Sequence, residues 1–175
     1  EGAFHEAMNL AALWHLPVLF CCENNLYAMG TALARSESQT DLCTKASSYG
    51  VAAVSVDGMD VVAVHETTMG AAQQVLQLSR PVFLEFRTFR FRAHSMFDPE
   101  LYRDKQEVLA WKTRGPIHTF SARLKAQGDL SEEEFLALDA AAQVEVDAAV
   151  AFAEGASWEP VADLLRDVYT PQGGA

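Results

Sequence analysis

Two short stretches of the chain concentrate side chains that can do chemistry. The first, Glu23-Asn24-Asn25-Leu26-Tyr27-Ala28-Met29-Gly30-Thr31, directly follows an apolar run. Paired amides and a glycine-containing loop supply neutral oxygen donors and close backbone approach, the hard-oxygen surroundings that Mg²⁺ favours. The same residues also suit an ordinary Asx turn, because an Asn side chain bonds the backbone two residues on. Composition leaves both readings open. The second stretch holds Arg87, Arg90, Arg92 and His94 in a chain with 13 Lys+Arg against 24 Asp+Glu, a net charge of −11. A basic cluster inside an acidic chain suits an anion, since the guanidinium fork matches phosphate oxygens. The alternative is a solvated or salt-bridged face. His94, taken alone, is either a ligand contact or a satisfied loop histidine. Together the two loops suggest a metal-bridged diphosphate ligand.

Other chemistry is excluded residue by residue. His5-Glu6 starts like a zinc-protease helix, but Asn9 stands where the second histidine must be. There is no Gly-x-Ser-x-Gly elbow, Walker loop or dinucleotide fingerprint. Cys21, Cys22 and Cys43 make neither an even framework nor a metal spacing, and are expected to be reduced thiols. The acidic balance argues against a nucleic-acid or anionic-membrane partner, both of which need a basic face. No apolar run approaches the roughly 18 residues of a membrane helix and no signal peptide is recognisable, so a cytoplasmic location is expected.

The elements that must position these loops follow from periodicity. The chain has 175 residues, half of them apolar, enough for one soluble domain with a core of its own. Phe4, Ala7, Met8, Ala11 and Trp14 form a helical stripe that ends before Pro17. Pro17 to Cys22 is a continuous apolar run, as expected of a strand covered on both faces. Ala52 to Val56 and Pro81 to Phe86 repeat that signature, with a helix expected from about Asp60 to Leu78 between them. Strands alternating with helices imply an α/β fold with a parallel sheet and flanking helices. In such sheets ligands sit beyond the carboxyl ends of the strands, where both loops fall. From Asp104 onward the pattern is helical. Ser131-Glu132-Glu133-Glu134 is a capping box for a helix reaching about Glu154, with Gly155 as its stop, and a last helix is expected over Pro160 to Tyr169. Residues 172–175 should fray. The expected division is an α/β part over 1–103 and a helical C-terminal extension of the same domain over 104–175.

Several segments in linear order resemble one family. They are Phe4 to Trp14, Leu16 to Asn25, Tyr27 to Thr31, Val56 to Val61 and Arg90 to Arg103, with a closing Asp-Val-Tyr near residue 169. They look like the alpha subunit of the pyruvate dehydrogenase E1 component. The resemblance implies the thiamine diphosphate-binding fold and an enzyme, pyruvate dehydrogenase (acetyl-transferring), that decarboxylates pyruvate and passes the acetyl group to the lipoyl group of E2. Implied cofactors are thiamine diphosphate and Mg²⁺, and the implied assembly is an α2β2 heterotetramer with E1 beta subunits. By resemblance, Asn25 gives a side-chain oxygen and Tyr27 a backbone carbonyl to Mg²⁺. Arg90 and His94 contact the cofactor diphosphate, and His94 is the catalytic candidate that orients substrate. The glutamate that activates the cofactor is expected on the beta chain. Glu1-Gly2 begins a few residues after the place where the family carries Gly-Asp-Gly, so the metal-binding aspartate is expected to be missing, and with it the strand that would pair with Pro17 to Cys22. That leaves two alternatives: an inert piece with an assembly role, or a branched-chain 2-oxo acid or acetoin dehydrogenase alpha subunit. His94-Ser95-Met96-Phe97-Asp98-Pro99 fits the pyruvate enzymes best. Ser95 aligns with a phosphorylation site of mitochondrial relatives but is expected to be an unmodified loop serine.

Overall fold

The computed structural model describes residues 2–168. The chain divides into two compact units, Glu1–Gln127 and Gly128–Ala175. In the first, helix α1 (Gly2–Leu13) leads to strand β1 (Leu19–Asn24), a small hairpin β2 (Tyr27–Ala28) and β3 (Thr31–Ala32), and short helices α2 (Leu33–Ser36) and α3 (Leu42–Ser47). Strand β4 (Ala52–Asp57), helix α4 (Val61–Leu78), strand β5 (Val82–Arg87) and helices α5 (Lys105–Lys112) and α6 (Pro116–Gln127) complete it.

Strands β1, β5 and β4 form a parallel sheet in that order, so the strand latest in sequence lies at the centre. Leu84 is in register with Cys21 on one side and Val54 on the other. Alternation along β5 builds two cores. Val82, Leu84 and Phe86 pack with Val56 and with Ala71 and Val75 of α4. Phe83 points the other way, into a cluster with Met8 of α1, Ala46 of α3 and Val51. Helix α4 begins where expected because the Asp60 side chain accepts from the amides of Val62 (2.9 Å) and Ala63 (3.2 Å). It ends at Ser79, which takes a left-handed φ of 46° just ahead of Pro81.

Burial on both faces, expected of all three strands, holds for β5 alone. Cys21 and Glu23 of β1 and Ala52, Val54 and Ser55 of β4 are exposed, because these two strands are the sheet's edges. Among the described residues β1 pairs only with β5. The hairpin and α3 have no counterpart in the sequence reading. Helix α3 starts on Asp41, whose carboxylate accepts from the Thr44 amide at 2.9 Å, and is held by burial of Ala46 in the Phe83 cluster.

The second unit is built on α7 (Glu132–Glu154). Its capping box is present as expected: Ser131 Oγ accepts from the Glu134 amide at 3.1 Å, and the Glu134 carboxylate accepts from the Ser131 amide at 2.8 Å. Gly155 ends it with right-handed dihedrals (φ −78°) rather than a left-handed stop. The helix expected over 160–169 is instead a 3₁₀ turn, Val161–Asp163, with i to i+3 bonds such as Leu164 N to Val161 O at 3.1 Å. A segment this short holds an α-helix only if packing supports it. Leu164 and Leu165 are 77% and 76% exposed, so that support is missing here. Tyr169 and residues 172–175 lie outside the described residues.

Candidate functional site

Parallel pairing places Asn24, Arg87 and Asp57, the last residues of β1, β5 and β4, in one register line. The two chemically suggestive loops therefore leave the same sheet edge side by side. The Thr88 amide donates to the Asn24 carbonyl (3.0 Å) and its hydroxyl donates to Asn25 Oδ1 (3.1 Å). The two asparagines divide their work. Asn24 is buried and makes the Asx turn, its Oδ1 accepting from the Leu26 amide at 3.0 Å, while Leu26 takes a left-handed φ of 66°. Asn25 is half-buried and lines the cleft between the two loops.

Asn25 and Tyr27 from the first loop meet Arg90, Arg92, His94 and Arg103 from the second in a cleft of about 110 Å³. Whole organic ligands usually occupy pockets of roughly 300 Å³ or more, so this volume suits a phosphate-sized group, not an entire coenzyme. A larger cavity of about 570 Å³ runs along the carboxyl ends of all three strands, past Asn24, Asp57, Glu85 and Arg87. Arg87 does not line the small cleft; its Nε lies 3.5 Å from the buried Glu85 carboxylate.

The basic loop is held in shape from within. Arg90 Nη1 lies 3.3 Å from His94 Nδ1, so these two side chains form one unit. Asp98 ties the turn beyond them, accepting from the amides of Glu100 (2.9 Å) and His94 (3.3 Å) and from the Tyr102 hydroxyl (2.9 Å). These donors, the Glu100 amide foremost, hold its carboxyl below the ordinary aspartate value of 3.8. Arg103 donates to the carbonyls of Arg90 (2.7 Å) and Phe91 (3.2 Å), pairs with Glu100, and lies 5.4 Å from the centre of the Phe89 ring. Its side chain is only 4% exposed, and its Nε has no hydrogen-bond partner among the described residues. Tyr27 is fixed by its own phenol, which donates to Glu107 at 2.9 Å and sits edge-on to Phe89. Partial desolvation, followed by that hydrogen bond to Glu107, raises the Tyr27 phenol above 10.0. The hairpin tip comes so close to Tyr102 that a Cβ on Gly30 would stand 3.2 Å from the ring.

The sequence reading singled out Asn25, Tyr27, Arg90, Arg92 and His94, and the fold brings all five to one cleft. It assigned no role to Glu85, Asp98, Tyr102, Arg103 or Glu107. Arg103 carried a signal, a basic residue inside the Glu-Leu-Tyr-Arg segment, but its partners are up to 13 positions away. Glu85 carried another, as the one charge in an apolar strand run.

The donor set fits a Mg²⁺-diphosphate group. An amide and a backbone carbonyl are hard neutral oxygens, and three arginines with a histidine suit the phosphate charge. Among the described residues no cluster of three or more His, Cys, Asp or Glu side chains could hold a metal ion. The turn's own oxygens and the ligand's phosphates are then the donors this loop offers.

A parallel α/β sheet with a cleft lined by basic side chains at its carboxyl edge defines a class, the α/β proteins whose loops beyond the strand ends form the usual ligand-binding edge. Within that class, the profile of the dehydrogenase E1 component family matches residues 1–161, and the chain belongs to that family. It is 37% identical over 169 residues to the pyruvate dehydrogenase E1 component subunit alpha of Rickettsia conorii, covering 97% of this chain and 52% of that protein. The Rhizobium meliloti subunit alpha is 38% identical, covering 96% and 49%. The mitochondrial type I subunit alpha of Ascaris suum is 42% identical over 171 residues, covering 97% and 43%. The chain thus spans about half the length of the curated relatives it matches.

Proposed function

We propose that this chain serves as alpha-subunit sequence of a pyruvate dehydrogenase E1 component, assembled with E1 beta subunits as α2β2. The reaction is the oxidative decarboxylation of pyruvate with acetyl transfer to the lipoyl group of E2, in the cytoplasm. The observation that carries this reading is the meeting of Asn25, Tyr27, Arg90 and His94 in one cleft, from loops 63 positions apart. Similarity to alpha subunits over nearly the whole chain supports it.

Thiamine diphosphate, when bound, supplies the carbanion nucleophile and the electron sink for decarboxylation. The chain's own residues bind and orient. Asn25 Oδ1 and the Tyr27 carbonyl would hold Mg²⁺, with Thr88 steadying the Asn25 oxygen at 3.1 Å. Arg90 would neutralise diphosphate charge while His94, 3.3 Å from it, would hydrogen-bond the group, and His94, exposed on the loop, is placed to orient substrate. Among the described residues β1 pairs only with β5, and this open edge favours a second reading, in which the chain has only an assembly role. The test is an alpha subunit containing this sequence, mixed with its beta subunit and assayed with pyruvate. Activity that requires both Mg²⁺ and thiamine diphosphate is expected, and equal activity after exhaustive removal of both refutes the proposal.

A further inference from the structure

Central strand β5 reads Val82-Phe83-Leu84-Glu85-Phe86, and Glu85 is the only charged residue buried in that run, at 2% exposure. Its neighbours on the strand fill the two cores. A carboxylate in such a place costs several kcal/mol unless it is well paired, and an apolar residue of similar size would often serve stability as well or better. Stability therefore does not account for Glu85.

Its contacts point to a different role. Glu85 Oε1 accepts from Asn24 Nδ2 at 2.7 Å, across the parallel pair. Its Oε2 faces Arg87 Nε at 3.5 Å and Cys43 Sγ at 4.0 Å. A carboxylate offers acceptors only, so it can bind Asn24 only through the amide nitrogen. That choice turns Asn24 Oδ1 toward the chain ahead, where it accepts from the Leu26 amide at 3.0 Å. The amide group of Asn24 cannot rotate without losing both bonds at once. Leu26 is thereby kept at a left-handed φ of 66°, a conformation an L residue adopts only when its surroundings hold it there. Asn25 and Tyr27 flank Leu26, so the dihedrals of Leu26 set where both of them stand.

We infer that Glu85 is a positioning residue for the Asn25–Tyr27 turn, acting through Asn24 to hold the oxygen donors of that turn ready for a divalent cation. Both of its oxygens are engaged by protein groups, and Glu85 does not line the cleft itself. The inference rests on the cation-binding reading proposed above. It adds that metal affinity depends on a carboxylate two contacts away, in the manner of groups that orient metal ligands from behind, whose loss costs roughly 10–100-fold in affinity.

The test uses the α2β2 enzyme and reads Mn²⁺ binding directly, by electron paramagnetic resonance in the presence of thiamine diphosphate, apart from turnover. Glu85→Leu, which suits its apolar neighbours, should weaken Mn²⁺ affinity roughly tenfold or more. Glu85→Gln, which keeps an oxygen for Asn24 Nδ2, should restore most of it. Asn24→Ala should show the same loss as Glu85→Leu, and the double variant no greater loss than either, because both changes break one chain of contacts. Val75→Ala, in the core on α4, should lower the Tm without changing Mn²⁺ affinity. Unchanged affinity in Glu85→Leu, additive losses in the double variant, or an equal loss in Val75→Ala each overturns the inference. If Glu85→Leu does not fold, the comparison of Asn24→Ala with Glu85→Gln decides: Asn24→Ala at wild-type affinity overturns it. Wild-type enzyme that binds no Mn²⁺ refutes the cation site itself, a different failure from wild-type binding that Glu85→Leu leaves untouched.

Discussion

Arg103→Lys keeps the charge and removes the fork. In the native loop two guanidinium nitrogens serve three acceptors: the Arg90 carbonyl at 2.7 Å, the Phe91 carbonyl at 3.2 Å and the Glu100 carboxylate. A lysine ammonium is a single point on a flexible stem and cannot reproduce this planar pattern, nor the face it lays toward Phe89. Losing one charge-assisted hydrogen bond costs about 1.5–3 kcal/mol, and because the site is almost wholly buried little of that is returned by water. The loss falls on the basic loop, since both carbonyls belong to it and only side-chain packing links Arg103 to the sheet unit's cores. Opening of the loop should then become easier by that amount, which is roughly 10- to 150-fold in an opening equilibrium. Hydrogen–deuterium exchange of the amides between residues 89 and 104 should speed up by that factor while amides of β5 stay unchanged. Affinity for inorganic diphosphate should fall in parallel, because Arg90 is one of the residues whose backbone Arg103 holds. Loop exchange within twofold of wild type would show that the three acceptors are satisfied without Arg103 and would refute this account.

Three further perturbations test other parts of the structure. Asp98 has its pKa depressed in the folded chain, so its contribution is fully present above the ordinary value of 3.8 and is lost as pH falls through the lower folded value. Protection of the loop amides, corrected for the intrinsic pH dependence of exchange, should fall on acidification below about pH 4, and Asp98→Asn should be less protected at neutral pH and lose that acid dependence. Leu84→Ala, at a fully buried position between Cys21 and Val54, should cost about 2–5 kcal/mol by chemical denaturation, whereas an exposed leucine such as Leu76 should tolerate the same change within about 0.5 kcal/mol. In the assembled enzyme Asn25→Ala should weaken cofactor binding in a way that raised Mg²⁺ partly rescues, because an oxygen donor is lost. His94→Ala should lower turnover or diphosphate affinity without rescue, and identical Mg²⁺ titrations for the two variants would contradict that division.

The three strands of the parallel sheet, the long helix after Asp60 and the capping box at Ser131 were legible because their signals are local. An apolar run bounded by turn residues, an aspartate ahead of a helical stripe, and a serine three residues before a glutamate each act over a few positions. The helix expected near Pro160 failed for the complementary reason, since Leu164 and Leu165 are present but no packing among the described residues buries them. Of the candidate site, Asn25, Arg90 and His94 stand out by residue type and Tyr27 by family resemblance. Tertiary structure alone decided three things. It put β5 at the centre of the sheet, because order in a sheet depends on which strand covers both helix layers and not on order in the chain. It divided the adjacent asparagines, burying Asn24 on the Glu85 carboxylate and leaving Asn25 half-buried at the cleft, a distinction set by a residue 61 positions away. And it separated Arg87 from the other three members of the basic cluster, because strand pairing carries Arg87 to the end of β5 beside Glu85 while Arg90, Arg92 and His94 lie beyond it on the loop.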